Sequence, residues 1–545
     1  MRHQRRAAVL SAAFLLALPV AAQAAAPADP GPSVPGPAAA GPASLASTAQ
    51  DPRLQPWLDG HLATLTDAAR VRVMVRATSA AAAADAVEAV GMGVQQRWPM
   101  VGIAVGVGPA SAVRGLLAQP GVLYVEGDTP LAYTLQTAHQ ATRSDQALVS
   151  YPTADGTGVT VAVIDSGIDG THPAFRQGAA SKVVQNRKNV CGIDLGIDPG
   201  LSETCFAQAP TNDTDTISGG GHGTHVAGIA AGVPVTTTSP AGTNLRGSAP
   251  GAKLVGLSVG AAIGLLDAAA AQNWVLEHQQ NPCRSAAEQT ADVVDADCPP
   301  IRVTNHSYGP IATEGEDQAF SEDSASVLLQ RALVGKGVVA VWAAGNDGGD
   351  GSFAATNPDA MDPTPGIVMV ASYDDAQRGD PDNQLSTFSS RGKRGSAGTY
   401  PDLAAPGDRI TSACRATLVV CQGAPSFDGG NYQTISGTSM ASPYVAGVVA
   451  ALLAADPTLT PARVEAVLED TAHRFVAGGA YESDPTNPSS PTSFDKGHGL
   501  VDVLAAVTAV AGSAGPVPGG GTGQPPVACV PAGKQGTCKG RGGKP

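Results

Sequence analysis

Short Val- and Ala-rich runs recur through the middle of this chain, and each leads into a turn: "GVTVAVIDSG", "AKLVGLSVG", "IRVTNHSYG", "GVVAVWAAGN" and "GIVMVAS". Runs this uniformly apolar have no face suited to water, so the strands they form must be covered on both sides. The covers are at hand: "GTHVAGIAAG", "LLDAAAAQNWVLEHQ" and "ASVLLQRALVGKG" lie between them and read as helices. Buried strands alternating with helices predict an α/β domain with a mostly parallel sheet between helical layers. Ligands of such sheets bind beyond the carboxyl ends of the strands. That is where these turns carry Asp, Ser and Asn.

The flanking segments differ in kind. Arg2, Arg5 and Arg6, an apolar stretch over 7–21 and the small-x-small site Ala22-Gln23-Ala24 read as an export signal over 1–24. Residues 25–50 are an Ala/Pro-rich spacer, and 513–545 a Gly/Pro-rich tail. Between spacer and α/β region, "RVRVMVRAT", "SAAAAADAVEAVG", "MVGIAVGVG", "ASAVRGLLAQPG" and "VLYVEGD" alternate strand and helix patterns. With room for one more strand, they predict a small ferredoxin-like α+β unit. A net charge of -14 disfavours nucleic-acid partners. Apart from the signal, no run reads as the 18 or so uninterrupted apolar residues a membrane span needs. Export also suits the eight cysteines. Sequential pairing is preferred, Cys191–Cys205, Cys283–Cys298, Cys414–Cys421 and Cys529–Cys538, because each pair brackets a loop-like stretch. None forms C-x-x-C, which argues against zinc. Such bridges are expected mainly to pin surface insertions.

Three turns carry the chemistry. In "VAVIDSGIDGTHP", Asp165 ends an apolar strand, where a carboxylate is costly unless it is paired. In "SGGGHGTHVAGIAAG", His222 and His225 open a helix of small residues. H-G-T-H lacks the spacing and the Glu of a zinc-binding H-E-x-x-H. In "SGTSMASPYVAGVVAALLAA", Ser439 stands where a buried helix begins, with Pro443 expected in its first turn. Singly, these residues read as a turn Asp, a core His and an N-cap Ser. Together they supply a nucleophile, a base and an orienting acid, in the order Asp, His, Ser. G-x-S-x-G is missing around Ser439, which disfavours an α/β-hydrolase.

With "VIDSGID", "HGTHVAG" and "GTSMASP" in that order, the chain resembles the subtilisin-like serine proteases, or subtilases, over about residues 134–512. The resemblance implies a three-layer αβα fold and a serine endopeptidase with Asp165 as orienting acid, His222 as general base and Ser439 as nucleophile. It implies Asn346 of "WAAGND" as an oxyanion donor beside the Ser439 backbone N–H. "NHSYGP" is similar to the family's substrate-binding strand, so Ser307, Tyr308 and Gly309 are expected to contact an extended peptide. Residues 51–133 resemble the inhibitory propeptide of such zymogens, with cleavage expected near Tyr133. The partners implied are protein and peptide substrates and the chain's own propeptide, acting on a secreted monomer.

Departures from the family pattern bear on metals and specificity. Ala174 in "DGTHPAF" stands where many members have a calcium-binding Asp, and "TTTSPAGTNLRGSAPG" lacks the usual calcium-loop pattern. Catalysis needs no cofactor or metal on this reading; structural calcium stays open and unassigned, with Asp194, Asp198 and Asp350 as other acidic candidates. "CRSAAEQTADVVDADC" and the segment 178–218 read as surface insertions. No pocket carboxylate can be assigned, so broad specificity with an apolar bias is expected.

Overall fold

The computed structural model describes residues 53–127 and 134–511, except 179, 190–205, 210, 217–219, 239–240, 261–263, 286–287, 290–294, 311–314, 423 and 486. The expected signal, spacer, tail and cleavage point near Tyr133, and the pairs Cys191–Cys205 and Cys529–Cys538, lie wholly or partly outside them. The chain divides into two compact units, Met1–Thr129 and Pro130–Pro545.

In the first unit the strands are Arg70–Ala77, Gly93–Trp98, Ile103–Pro109 and Val122–Gly127, with helix Ala80–Ala89 after the first. Strand three pairs antiparallel with strands one and two, and strand four adds antiparallel to strand one. Strand Gly93–Trp98, which the sequence reading left as room for one more, lies at the sheet edge. Val73, Val75 and Val125 pack with Ala83, Ala84 and Val87 of the helix.

The second unit is built on a nine-stranded sheet. Its centre is Thr160–Asp165, flanked in parallel by Lys253–Ser258 and Ile301–His306. Val183–Asn189 adds in parallel on one side, and Val339–Ala343, Ile367–Asp374 and Leu403–Pro406 on the other. Antiparallel strands Phe206–Gln208 and Gln384–Leu385 close the two ends. Alternation along the central strand explains its composition. Val161 and Val163 pack toward helices His222–Ala231 and Thr438–Ala455, whereas Ala162 and Ile164 pack toward helix Leu265–His278. Every residue of "TVAVID" is therefore buried on one face or the other.

Helix Thr438–Ala455 has 18 residues and, by length and composition alone, is apolar enough to cross a membrane; 83% of it is buried in this protein's own core. That qualifies the membrane reading of the sequence. The helix begins earlier than the sequence reading placed it, so Pro443 falls in its second turn rather than its first. Proline has no N–H for the carbonyl four residues back, which here belongs to Ser439. The Ser307 hydroxyl donates to that carbonyl instead, at 3.0 Å.

Two of the four expected disulfides fall among the described residues, and both form: Cys283–Cys298 and Cys414–Cys421. The second does more than pin a surface insertion. Both of its cysteines are fully buried, and Cys414 Sγ lies 3.4 Å from the carbonyl oxygen of Gly221, the residue before His222.

Candidate active site

Asp165 is the last residue of the central strand, and His222 the first of its helix. The helix reaches the strand end because residue 223 is glycine: a Cβ there would lie 2.2 Å from the Gly167 carbonyl oxygen. Gly221, at φ 108°, makes the turn into the helix in a conformation other residues rarely adopt. The outcome is a paired imidazole and carboxylate. His222 Nδ1 lies 2.8 Å and 3.0 Å from the two Asp165 oxygens. The acid side chain is 1% exposed and the imidazole 25%, so the pair is sheltered at one end and reachable at the other. Ser166 N–H also donates to Asp165 Oδ1, at 2.7 Å. Burial opposes a charge on His222, but the Asp165 carboxylate, helped by Asp215, raises its pKa above the ordinary 6.5.

His225, one turn along, is fully buried; burial pushes its pKa down to about 3, and its Nε2 lies 3.0 Å from the Gln433 carbonyl oxygen. It is a neutral core histidine.

Ser439 is the second residue of its helix, preceded by Gly437 and Thr438. Its Oγ donates to the Ser307 carbonyl at 3.1 Å and makes no hydrogen bond to His222. Asn346 lies alongside. Its Oδ1 accepts from the Thr438 N–H at 2.8 Å and the Thr438 hydroxyl at 3.0 Å, which turns its NH2 group away from Thr438. A methyl built on Gly437 would sit 3.5 Å from Ser439 N and 3.6 Å from Asn346 Nδ2. Two donors thus border one spot at the start of a buried helix, where the helix dipole favours negative charge.

The three substrate-strand candidates divide. Ser307 is buried; its hydroxyl donates to the Ser439 carbonyl and its Oγ lies 3.1 Å from Ser442 Oγ. Asn305 ties the same network together, donating to Ser307 Oγ and accepting from Ser442 Oγ. Tyr308 turns inward: its hydroxyl is 2.8 Å from His306 Nδ1, and its ring packs edge-on to Trp342. Gly309 is exposed. The side chains of Ser307 and Tyr308 are therefore committed within the protein, and the Tyr308 carbonyl accepts from Asn357 Nδ2 at 2.9 Å.

The sequence reading missed Asp215. This buried carboxylate accepts from Ser166 Oγ and Gly221 N–H on one oxygen, and from Thr224 N–H and its hydroxyl on the other. The available signal was an acid shortly before a Gly-rich helix start.

A model of the subtilase family matches residues 156–500, well over half of the chain. The chain belongs to the subtilase family. It is similar to subtilisin E of Bacillus subtilis, 29% identical over 79% of this chain and 87% of that protein. Thermitase of Thermoactinomyces vulgaris is 30% identical over 62% of this chain and 88% of its own length. An extracellular protease of Xanthomonas campestris is 32% identical, covering 73% of this chain and 61% of that one. The crystal structure of fervidolysin from Fervidobacterium pennivorans aligns with a TM-score of 0.46 at 24% identity, over 83% of this chain and 62% of that one. This subtilase is a serine-type endopeptidase with the subtilisin-like α/β fold, and its family needs no catalytic cofactor.

Structural calcium does not fit at Ala174. That residue is 4% exposed and offers a methyl group where a carboxylate oxygen would be required. The segment lacking the calcium-loop pattern forms a hairpin, Val235–Thr238 against Ala241–Leu245, whose strands pair with each other.

Proposed function

We propose that this subtilase is a secreted endopeptidase, made as an autoprocessing precursor, with Asp165, His222 and Ser439 as its catalytic triad. The observation that carries the reading is the buried Asp165 carboxylate held against His222 Nδ1, 2.8 Å away. That contact fixes the imidazole with Nδ1 protonated and Nε2 free to accept a proton.

The reaction follows from those roles. Ser439 Oγ leaves the Ser307 carbonyl, gives its proton to His222 Nε2 and attacks the scissile carbonyl carbon. Catalytic hydrogen bonds are often unmade in free enzymes and tighten with substrate present, so the resting orientation of Ser439 is compatible with this step. The oxyanion takes bonds from Ser439 N–H and Asn346 Nδ2. His222 then protonates the leaving amine as the C–N bond breaks, the C-terminal fragment departs with that amine, and the N-terminal fragment stays as an ester on Ser439. Water, deprotonated by His222, hydrolyses that ester and restores the serine. An extended substrate runs along the backbone of Ser307, Tyr308 and Gly309.

The remaining assignments are part of the same proposal. Residues 1–24 are the export signal, 25–50 a spacer, 51–133 an inhibitory propeptide, 134–512 the peptidase and 513–545 a tail. Secretion is supported by the charged-then-apolar N-terminus and by the extracellular protease among the relatives. The mature enzyme acts on protein and peptide substrates as a monomer.

Ser439→Ala tests the reading. The purified variant should show no peptide hydrolysis above background and remain an uncleaved precursor. An active variant that matures normally overturns it. N-terminal sequencing of the secreted wild type should find a start near Tyr133, and a start beyond Val159 excludes the domain assignment.

A further inference from the structure

We propose that Asp215 is a positioning residue of the Asp165–His222 pair, locking the helix that carries the base to the strand end that carries the acid. The proposal rests on the triad reading above.

The geometry is that of a two-sided clamp. Asp215 Oδ1 accepts from Ser166 Oγ at 2.9 Å, and Ser166 is the neighbour whose N–H holds Asp165. The same oxygen accepts from Gly221 N–H at 2.8 Å, immediately before His222. Oδ2 accepts from Thr224 N–H at 3.2 Å and from Thr224 Oγ1 at 2.5 Å. Ser166 Oγ in turn accepts from Gly223 N–H at 2.9 Å. Donors at the start of a helix have no intrahelical partner, and here they converge on one carboxylate and on the serine bound to it. Strand end and helix start are thus joined through a group outside both.

Asp215 is itself held. The Thr214 hydroxyl accepts from Ile168 N–H at 3.0 Å, the Thr214 N–H donates back to the Ile168 carbonyl at 3.0 Å, and Asp213 bridges Asp169. A side chain that is 2% exposed, with both oxygens fully used, has no freedom to serve as a mobile acid or base. It acts through His222 and does not touch substrate.

The charge matters as well as the shape. The charged and titratable groups acting on His222 are Asp165 from the strand and Asp215 from the loop, with neutral His225 on its own helix. Around Asp215 stand Asp165 and Asp213, while Arg415 is committed to Asp169. Asp215 therefore adds to Asp165 in favouring the imidazolium that forms as Ser439 loses its proton.

Asp215→Asn separates this role from simple structural support. Asparagine keeps the size but has one acceptor oxygen where two are needed, so its NH2 group must face N–H and O–H donors. In the full chain as secreted, with rates normalised to sites titrated by a serine-directed acylating reagent, kcat should fall about 10- to 100-fold. KM should barely change, and the acid limb of the kcat/KM profile should move to lower pH. Thr224→Val should show a milder version, and Thr224→Ser, which keeps the hydroxyl, should behave as wild type. Unchanged kcat per titrated site with an unmoved acid limb overturns the proposal, as does a loss confined to the number of folded sites. His222→Ala, assayed per mole of folded protein rather than per titrated site, separates the two readings. If it stays active, the triad assignment fails; if it is dead while Asp215→Asn is normal, only the clamp fails.

Discussion

Two groups of sheltered acids in the peptidase unit have opposite surroundings. At the proposed active site, Asp165 and Asp215 are met by donors: Ser166 N–H and His222 for the first, and Ser166, Gly221 and Thr224 for the second. Elsewhere, Asp402, Glu465 and Glu469 face one another, with one oxygen of each within 4.8 Å of the others. They line a cavity of about 500 Å³ together with Asp484 and His498, and none of the candidate triad residues borders it. Among the described residues their partners are Met369 N–H for Asp402, Gly366 N–H for Glu465, and Asn487 with His498 Nε2, 3.6 Å away, for Glu469. Burial and mutual repulsion push Asp402 and Glu465 well above the carboxylate range, and burial takes Glu469 to about 7. Burial leaves Asp215 raised as well, and the bonds from Thr224, Gly221 and Ser166 offset that rise only in part. The donors around a buried carboxylate thus decide whether its charge is available for work or is suppressed by a retained proton.

The sharpest way to break the comparison is to remove the charge where it is used. Asp165→Asn should lower kcat on the order of 10⁴-fold, because Nδ1 of His222 loses the acceptor that fixes its tautomer. Melting temperature should change little, since the amide keeps the shape. A variant within tenfold of wild type in steady-state peptide hydrolysis would show that the Asp165–His222 contact is structural only.

Next in size is the donor side of the same site. Asn346→Leu removes the NH2 group held beside Ser439 N–H and should reduce kcat by about 100- to 1,000-fold, with KM nearly constant. Equal loss after Thr438→Val, which leaves the amide in place but frees its orientation, would mean that Asn346 acts by shaping the Thr438 turn.

The two disulfides among the described residues extend the contrast between site and periphery. Losing either bridge to a double serine variant should cost about 2–3 kcal/mol of stability, measured by denaturant unfolding. Only the Cys414–Cys421 variant should also lower kcat, because that bridge rests on Gly221 beside His222. Equal activity in both variants would reduce the buried bridge to a staple.

How much of this was legible beforehand follows from the distance over which each cause acts. The strands of the sheet could be read from local runs such as "TVAVID", whose uniform burial is the direct consequence of helices on both faces. The motifs named Asp165, His222 and Ser439, but spacing alone could not say which atoms meet. Pro443 announces in sequence that the Ser439 carbonyl is orphaned; that Ser307 satisfies it is settled only by the fold. Asp215 was hidden because its partners come from two elements, and Tyr308 because its side chain is claimed by His306 and Trp342 rather than by the cleft. Glu465 and Glu469 lie four apart on helix Pro461–Thr471, a spacing that puts them on one face and by itself marks nothing unusual. Asp402, far away in sequence, is what turns that face into a crowded one.

The smallest effect tests the suppressed charges. For Glu469 the folded pKa, about 7, lies above the ordinary 4.5, so the unfolded chain releases its proton first as pH rises. Stability contributed by the protonated cluster is therefore full below about 4.5 and declines through pH 7, with the largest deficit above it. Glu465→Gln removes one of the three competing charges and keeps an oxygen for Gly366 N–H. Its NH2 group can donate to Asp402 or Glu469, turning repulsion into a hydrogen bond. The variant should unfold at higher denaturant concentration at pH 8, by on the order of 1 kcal/mol, and be indistinguishable from wild type at pH 4.5. Its kcat should be unchanged, because the cluster lies apart from His222 and Ser439. A variant that is destabilised at pH 8 would mean that these carboxylates are held ionised by something the cavity accommodates, and that the contrast with the active-site pair is one of occupancy rather than of donors.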